Sequence, residues 1–329
     1  MGNRFYDIAV IGAGPAGLTS ALYCRRAEKA VVVFEKDVVG GQVTHSPKIE
    51  NYPGTSQMSG LDFAERLSEQ VKSQGAEIIE AEVTGLSRES DGSWRIMLLG
   101  GDIYRSGAVI IAAGVHHRTL GLEHEEELEG AGVSYCAVCD GAFYRGLTVA
   151  VIGGGNSALQ EAVMLSELCK HVYVIQNLDY FTGEQSLVSI LRNAPNVELV
   201  TGAIADKLIE ENGELRAVHL AASGEKNVLE NVLGIDINTH NLPLDGIFVA
   251  IGLKPENEAF SEVAPLDKDG YIKADENCTL GKGLFVAGDC RTKNVRQIAT
   301  AISDGAAAAV SACRYVMTAA ENAALSQVN

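Results

Sequence analysis

Residues 7–27 read DIAVIGAGPAGLTSALYCRRA. An apolar run, a Gly-x-Gly-x-x-Gly turn (Gly12, Gly14, Gly17) and a helical stretch follow one another without a spacer. That order is the strand–turn–helix of a dinucleotide-binding unit. The first glycine permits the turn, the second lets the backbone approach a pyrophosphate, and the third lets helix pack on strand. The next apolar run, AVVVFEK, ends on Glu35. A carboxylate about 20 residues beyond the turn is placed to accept from ribose hydroxyls.

The pattern recurs at residues 147–169, LTVAVIGGGNSALQEAVMLSELC, followed by HVYVIQN. Gly153, Gly155, Asn156 and Ser157 form the second turn, Ala158 replaces its third glycine, and Gln176 stands at the following strand end. Two βαβ units predict an α/β protein with two Rossmann-like nucleotide-binding domains. The second loop is open to three readings: a nicotinamide nucleotide, a flavin, or an inherited shape without a ligand. Residues 60–76 read as a helix, and 76–90, 93–101 and 107–114 as strands. A β-meander is predicted over 197–222, buried strands over 242–252 and 280–289, and an Ala-rich closing helix over 297–320.

The bulk properties limit the function classes. A chain of 329 residues has room for two full cores, and 47% apolar with 21% charged residues is ordinary for a globular protein. A net charge of −17 argues against nucleic acid and anionic membrane as partners. No apolar run reaches membrane-spanning length. Seven scattered cysteines do not form a secreted disulfide framework, so a cytoplasmic location is expected.

Residues 136–140 read CAVCD. Cys136 and Cys139 are close enough to cycle between dithiol and disulfide, and Asp140 can move the accompanying proton. The alternative is half of a zinc site, which His116 and His117 could complete. No second Cys-x-x-Cys is present, and no metal is expected.

With CAVCDG at 136–141, GAGPAGLTSALYCRRA at 12–27, GGQVTHSPKIENYPG at 40–54 and LFVAGDCRTKNVRQIATAISDGAAAA at 284–309, the chain resembles the low-molecular-weight thioredoxin reductases. The likeness runs nearly end to end. It implies FAD held by Gly12, Gly14, Ala16, Gly17, Glu35, Gln42, Asn51 and Gly114, with Gly288, Asp289, Arg296, Gln297 and Ile298 from the C-terminal part. It implies a second domain inserted into the first, with boundaries expected at 1–114 plus 245–329 and at 115–244. It also implies a homodimer, Cys139 as the sulfur nearest the flavin, Cys136 as the thiol that meets a thioredoxin-like protein, and Asp140 as the proton carrier.

One part of the pattern is missing. NADPH-using members carry a His-Arg-Arg run after the second loop and another Arg a few residues on. Here those positions hold Gln176, Asn177, Leu178 and Thr182. A hydrogen bond to a charged group contributes about 1.5–3 kcal/mol. Losing two or three implies on the order of a 10²- to 10⁶-fold loss in NADPH affinity. The resemblance extends to some relatives that lack the run, among them ferredoxin-linked reductases and a diflavin type with a second FAD. A ferredoxin-type donor is therefore expected, with NADH or NADPH, or FAD in the second site, as alternatives. A non-enzymatic flavin redox sensor is the alternative class. An acidic ferredoxin needs a basic landing patch, for which Arg25, Arg26 and Lys29, or Arg291, Lys293 and Arg296, are candidates.

Overall fold

The computed structural model describes residues 5–46, 48–223 and 239–328. They divide into two compact units, Met1–His116 with Lys254–Asn329, and His117–Leu253.

The first unit is built on an eight-stranded sheet. Its strands are β1 (Phe5–Ile11), β2 (Val31–Glu35), β3 (Glu77–Glu80), β4 (Val83–Arg88), β5 (Trp94–Leu98), β6 (Ile103–Ile111), β17 (Thr279–Gly281) and β18 (Leu284–Val286). The main path runs β17-β18-β6-β1-β2-β3 and is parallel from β18 to β3. β5 joins β6 antiparallel, and β4 joins β5 in the same way. Every residue of β2, VVVFE, is buried, which suits a β-branched central strand covered on both faces. On one face, α1 (Pro15–Arg26) packs against α6 (Ile298–Val328). Small residues bring these helices together: a Cβ built on Gly305 would lie 2.3 Å from the Ala16 carbonyl oxygen. Helix α2 (Gly60–Ser73) is N-capped by Ser59, whose side chain accepts from the Asp62 N–H.

The second unit holds a five-stranded parallel sheet of order β11-β10-β9-β15-β8. These are β8 (Val133–Ser134), β9 (Thr148–Ile152), β10 (His171–Gln176), β11 (Val197–Thr201) and β15 (Gly246–Val249). Helices α3 (Ala137–Asp140), α4 (Asn156–Ser166) and α5 (Gln185–Asn193) belong to it. The expected meander becomes an antiparallel sheet of β12 (Ala203–Glu211), β13 (Glu214–Ala222) and β14 (Asn241–Pro243). The short strands β7 (Val115–His117) and β16 (Leu253–Pro255) pair where the chain crosses between units.

The unit boundaries differ from the expected ones at both crossings. Residues 245–253 lie in the second unit because β15 pairs in parallel with β9, Phe248 standing opposite Val151. Residues 115 and 116 lie in the first, where the His116 ring bonds to the Gln42 amide and approaches Glu256.

Both large sheets share one topological feature. In each, consecutive strands run outward on one side of the first strand (β1 or β9), while a later strand (β6 or β15) flanks it on the other. That switch point opens a crevice at the carboxyl ends of the strands. The first glycine of each turn meets the end of the flanking strand. A Cβ on Gly12 would lie 2.3 Å from the Ala112 carbonyl oxygen, and one on Gly153 would lie 2.5 Å from that of Ala250.

Candidate active site

In the first unit the Gly-x-Gly-x-x-Gly turn sits in the β1–α1 connection. Gly12 has a φ of 101°, and a Cβ on Gly17 would be 1.8 Å from the Gly12 carbonyl oxygen. Gly14 is different: nothing of the protein approaches its built Cβ closer than the Gly40 carbonyl oxygen at 3.8 Å. Gly14 is also the N-cap of α1 and supplies no side-chain cap. The result is an open space against free N–H groups at the positive end of a helix, a cradle for a pyrophosphate.

The expected residues gather around this turn. Glu35 is buried at the end of β2 and accepts from the Ala13 N–H at 2.6 Å and the Asp37 N–H at 2.9 Å. A Cβ on Gly288 would meet the Ala16 Cβ at 2.8 Å. The Asn51 amide donates to the Gln297 side-chain oxygen at 3.2 Å, and Gln42 is 3.2 Å from His116 Nδ1. Ile298 packs against the small cluster of Val43, Ile49, Phe63 and Ala64. Gly114, with a φ of 70°, follows β6 and has open space at its Cα. Arg296 donates to the Asp289 carbonyl and stacks over the Tyr271 ring at 4.3 Å.

Asp289 supplies the sharpest fit. Burial raises the pKa of its carboxyl, with the Lys293 and Arg296 charges opposing, and its Oδ1 is buried without a well-formed hydrogen bond. The Lys293 ammonium is ion-paired with that oxygen at 3.4 Å, a contact long enough to leave acceptor capacity there. A buried acceptor in need of a donor suits a hydroxyl-rich group such as the ribityl chain of a flavin. The Gly14 cradle and this orphaned oxygen both match FAD.

Reading the sequence did not single out Lys293 and Asp304 as a structural pair. Asp304, on α6, accepts from the Gly288 N–H at 3.2 Å and from Lys293 Nζ at 3.0 Å. Arg291 donates to the Asp275 carbonyl and is itself buried. This overturns one candidate landing patch: Arg291, Lys293 and Arg296 are taken up by internal partners and do not form an exposed basic surface. In the other candidate patch, Arg25 is held by the Gln74 and Lys29 carbonyls.

In the second unit, Cys136 and Cys139 are joined as a disulfide with Cα atoms 5.3 Å apart. Cys136 is the N-cap of α3, and its sulfur accepts from the Cys139 N–H at 3.2 Å. A thiolate at Cys136 would be stabilised by the same N–H. Ser134 links the pair to Asp140: its hydroxyl donates to Asp140 Oδ2 at 2.7 Å and accepts from the Cys136 N–H at 3.1 Å. Burial raises the Asp140 carboxyl pKa, the Ser134 hydrogen bond opposes this, and its Oδ1 is buried without a partner. Asp140 thus carries a buried carboxyl oxygen with a free acceptor site in the same short helix as Cys139. The other five cysteines are free and buried. Among the described residues no three His, Cys, Asp or Glu side chains are grouped to hold a metal.

The second glycine turn is occupied by its own chain. The Gln176 side chain lies against Gly154, where a built Cβ would be 2.5 Å from its amide. That amide donates to the Tyr180 carbonyl, and its oxygen accepts from the Asn177 N–H at 3.1 Å. The Thr182 N–H, the Gly183 N–H and the Thr182 hydroxyl all donate to the Gly154 carbonyl. Asn156 is paired with Glu184 through both its side-chain oxygen and its nitrogen. Ser157 is exposed, and Gly155 caps α4 with space at its Cα. Among the described residues, no helix is long and apolar enough to cross a membrane.

Comparison with known proteins agrees with this architecture. The family model of the pyridine nucleotide-disulphide oxidoreductases matches residues 6–305. The chain is 35% identical over 316 residues to a thioredoxin reductase of Listeria innocua serovar 6a, covering 95% of each chain. It is 37% identical over 311 residues to a 34.2 kDa protein in rubredoxin operon of Clostridium pasteurianum, covering 94% of this chain and 97% of that one. A solved thioredoxin reductase of Streptococcus pyogenes superposes with a TM-score of 0.87 at 31% identity, over 96% of this chain and all of that one.

Proposed function

We propose that this chain, which belongs to the pyridine nucleotide-disulphide oxidoreductase family, reduces the disulfide of a thioredoxin-like protein with electrons from a ferredoxin-type donor. Membership makes it an FAD-binding oxidoreductase that acts on sulfur groups. Bound FAD supplies a two-electron reductant for a disulfide. Gly12, Gly14, Ala16, Gly17, Glu35, Gln42, Asn51, Gly114, Gly288, Asp289, Arg296, Gln297 and Ile298 hold it.

The observation that carries the disulfide reading is the Cys136–Cys139 bond beside Asp140. Opening it leaves Cys136 as the thiolate, held by the Cys139 N–H, and Cys139 as the thiol. Cys136 attacks the partner's disulfide, and Cys139 displaces the reduced partner while re-forming the internal bond. Asp140 takes and returns the proton through its unpartnered Oδ1.

The donor reading rests on Gln176 and the loop behind it. A 2′-phosphate needs guanidinium groups, and none stands at 176, 177, 178 or 182. Gln176, at the strand end where a ribose-binding acid belongs, already spends its amide on Tyr180 and Asn177. The second reading keeps the Gly155 end of the cradle for NADH or a second FAD, favoured by its open space. We place the active form as a cytoplasmic homodimer.

Replacing Cys136 by serine tests the enzymatic role. Loss of thioredoxin reduction with FAD retained supports it. Unchanged turnover removes Cys136 from the reaction, and absence of turnover in the parent protein leaves the redox-sensor reading.

A further inference from the structure

Helix α4 carries Glu161, Met164 and Leu165 along one side, Leu168 continues that side in the turn beyond it, and the redox turn rests there. A Cβ built on Gly141 would meet Met164 Cε at 3.0 Å, Leu165 Cδ2 at 3.1 Å and Leu168 Cδ1 at 3.6 Å. Glu161 is the polar member of this face. Its carboxyl lies near the backbone N–H of Ala137, the residue directly after Cys136, and that N–H favours its charged form while burial opposes it. Its Oε2 is shielded from solvent and has no hydrogen-bond partner. Nothing in the activity derived above uses this group.

We propose that Glu161 is a positioning residue for the Cys136–Cys139 couple: it clamps the first turn of α3 through Ala137 and takes up the proton that offsets thiolate charge when the disulfide opens. The redox turn packed against α4 carries Cys136, Cys139, Asp140 and Tyr144 as its titratable groups. No charged side chain sets its ionisation, which is governed by burial and by the Ala137 N–H.

Two electrons from reduced flavin and one proton break the Cys136–Cys139 bond, giving one thiol and one thiolate. The thiolate at Cys136 and a carboxylate at Glu161 are like charges near the same short helix, so each disfavours the other. Above neutral pH, opening the bond therefore draws one further proton from solvent onto Glu161. Burial has already raised the Glu161 carboxyl to about 7, so little further shift is needed.

The inference rests on Cys136–Cys139 being the redox pair. Its test is the pH dependence of iodoacetamide alkylation of Cys136 in the C139S holoenzyme, with E161Q, E161D and D140N added in turn and flavin absorbance as the fold check. With Glu161 present the rate rises in two coupled steps. E161Q gives one step and a thiolate fraction at pH 8 about three- to tenfold higher. D140N keeps the step near neutrality, and E161D, with its shorter reach, displaces it. An E161Q profile superimposable on its parent overturns the proposal, as does a step that vanishes in D140N and persists in E161Q. Should E161Q lose its flavin, an unmoved step in E161D overturns it instead. Full turnover by the C136S enzyme would remove the redox-pair reading itself, a result distinct from superimposable profiles.

Discussion

The amide of Gln176 lies on Gly154, occupying the place beside the second glycine turn that the Glu35 carboxylate occupies beside Ala13 in the first. The two βαβ units thus share geometry and differ in the group at the strand end. One presents a buried acid with lone pairs to spare, the other a neutral amide already bonded to Tyr180 and Asn177.

Restoring cations at this end should restore NADPH use. The triple variant N177R/L178R/T182R is expected to bind NADPH at least about 10²-fold more tightly, from two or more charge-assisted hydrogen bonds. Titration monitored by flavin fluorescence checks it. An affinity equal to that of the parent shows that the missing charges are not what excludes NADPH.

The three glycines of the first turn should fail in different ways. Gly12→Ala places a Cβ 2.3 Å from the Ala112 carbonyl at a φ of 101°, and Gly17→Ala places one 1.8 Å from the Gly12 carbonyl. Both should disrupt folding. Gly14→Ala meets no protein atom within 3.8 Å, so the apoprotein should melt as the parent does. Its methyl group fills the pyrophosphate cradle, and FAD affinity should fall about 10- to 100-fold. FAD dissociation constants and apoprotein melting curves separate the two behaviours. Normal FAD affinity in Gly14→Ala would place the pyrophosphate elsewhere.

Lys293 joins Asp304 and Asp289 where its side chain is only 8% exposed. Lys293→Met removes the cation shared by the two carboxylates, leaving Asp304 only the Arg291 guanidinium at 3.9 Å and Asp289 only the Arg296 charge. Breaking a buried pair in this way costs about 3–5 kcal/mol. A lowered melting temperature with weaker FAD retention is expected, and the double variant K293M/D304N should recover part of the loss.

Glu161 gives a pH dependence with a defined sign. Burial raises its pKa from the ordinary 4.5 to about 7, so between those values the native state holds a proton that the unfolded chain releases. The stabilisation is complete below the lower value and is lost as pH rises through the upper one. Partial exposure of the residue reduces the effect, to on the order of 1–2 kcal/mol. The melting advantage of E161Q over the parent should therefore grow from pH 5 to pH 8. A constant difference across that range contradicts the assignment.

Much of this site is legible in the sequence because its signals are local. A glycine turn between a strand and a helix depends on residues a few positions apart, and so do Cys136, Cys139 and Asp140. What escapes is long-range. Nothing around Gly246–Val249 shows that this strand pairs with β9, because an all-buried parallel strand looks alike in either sheet. Glu161 reads as one more polar residue on an amphipathic helix until α3 is seen resting on that face. Lys293 and Arg291 look like a basic surface patch, and only folding shows them turned onto Asp304 and the Asp275 carbonyl.

In the proposed scheme, electrons reach Cys136–Cys139 through FAD from a donor other than NADPH. Anaerobic stopped-flow mixing of the oxidised holoenzyme with reduced ferredoxin, NADH or NADPH, each followed by thiol counting, tests it directly. Reduced ferredoxin should bleach the flavin and yield two new thiols per chain, assigned to Cys136 and Cys139, while micromolar NADPH leaves both unchanged. Rapid bleaching by micromolar NADPH, or flavin reduction that never opens the disulfide, would contradict the claim.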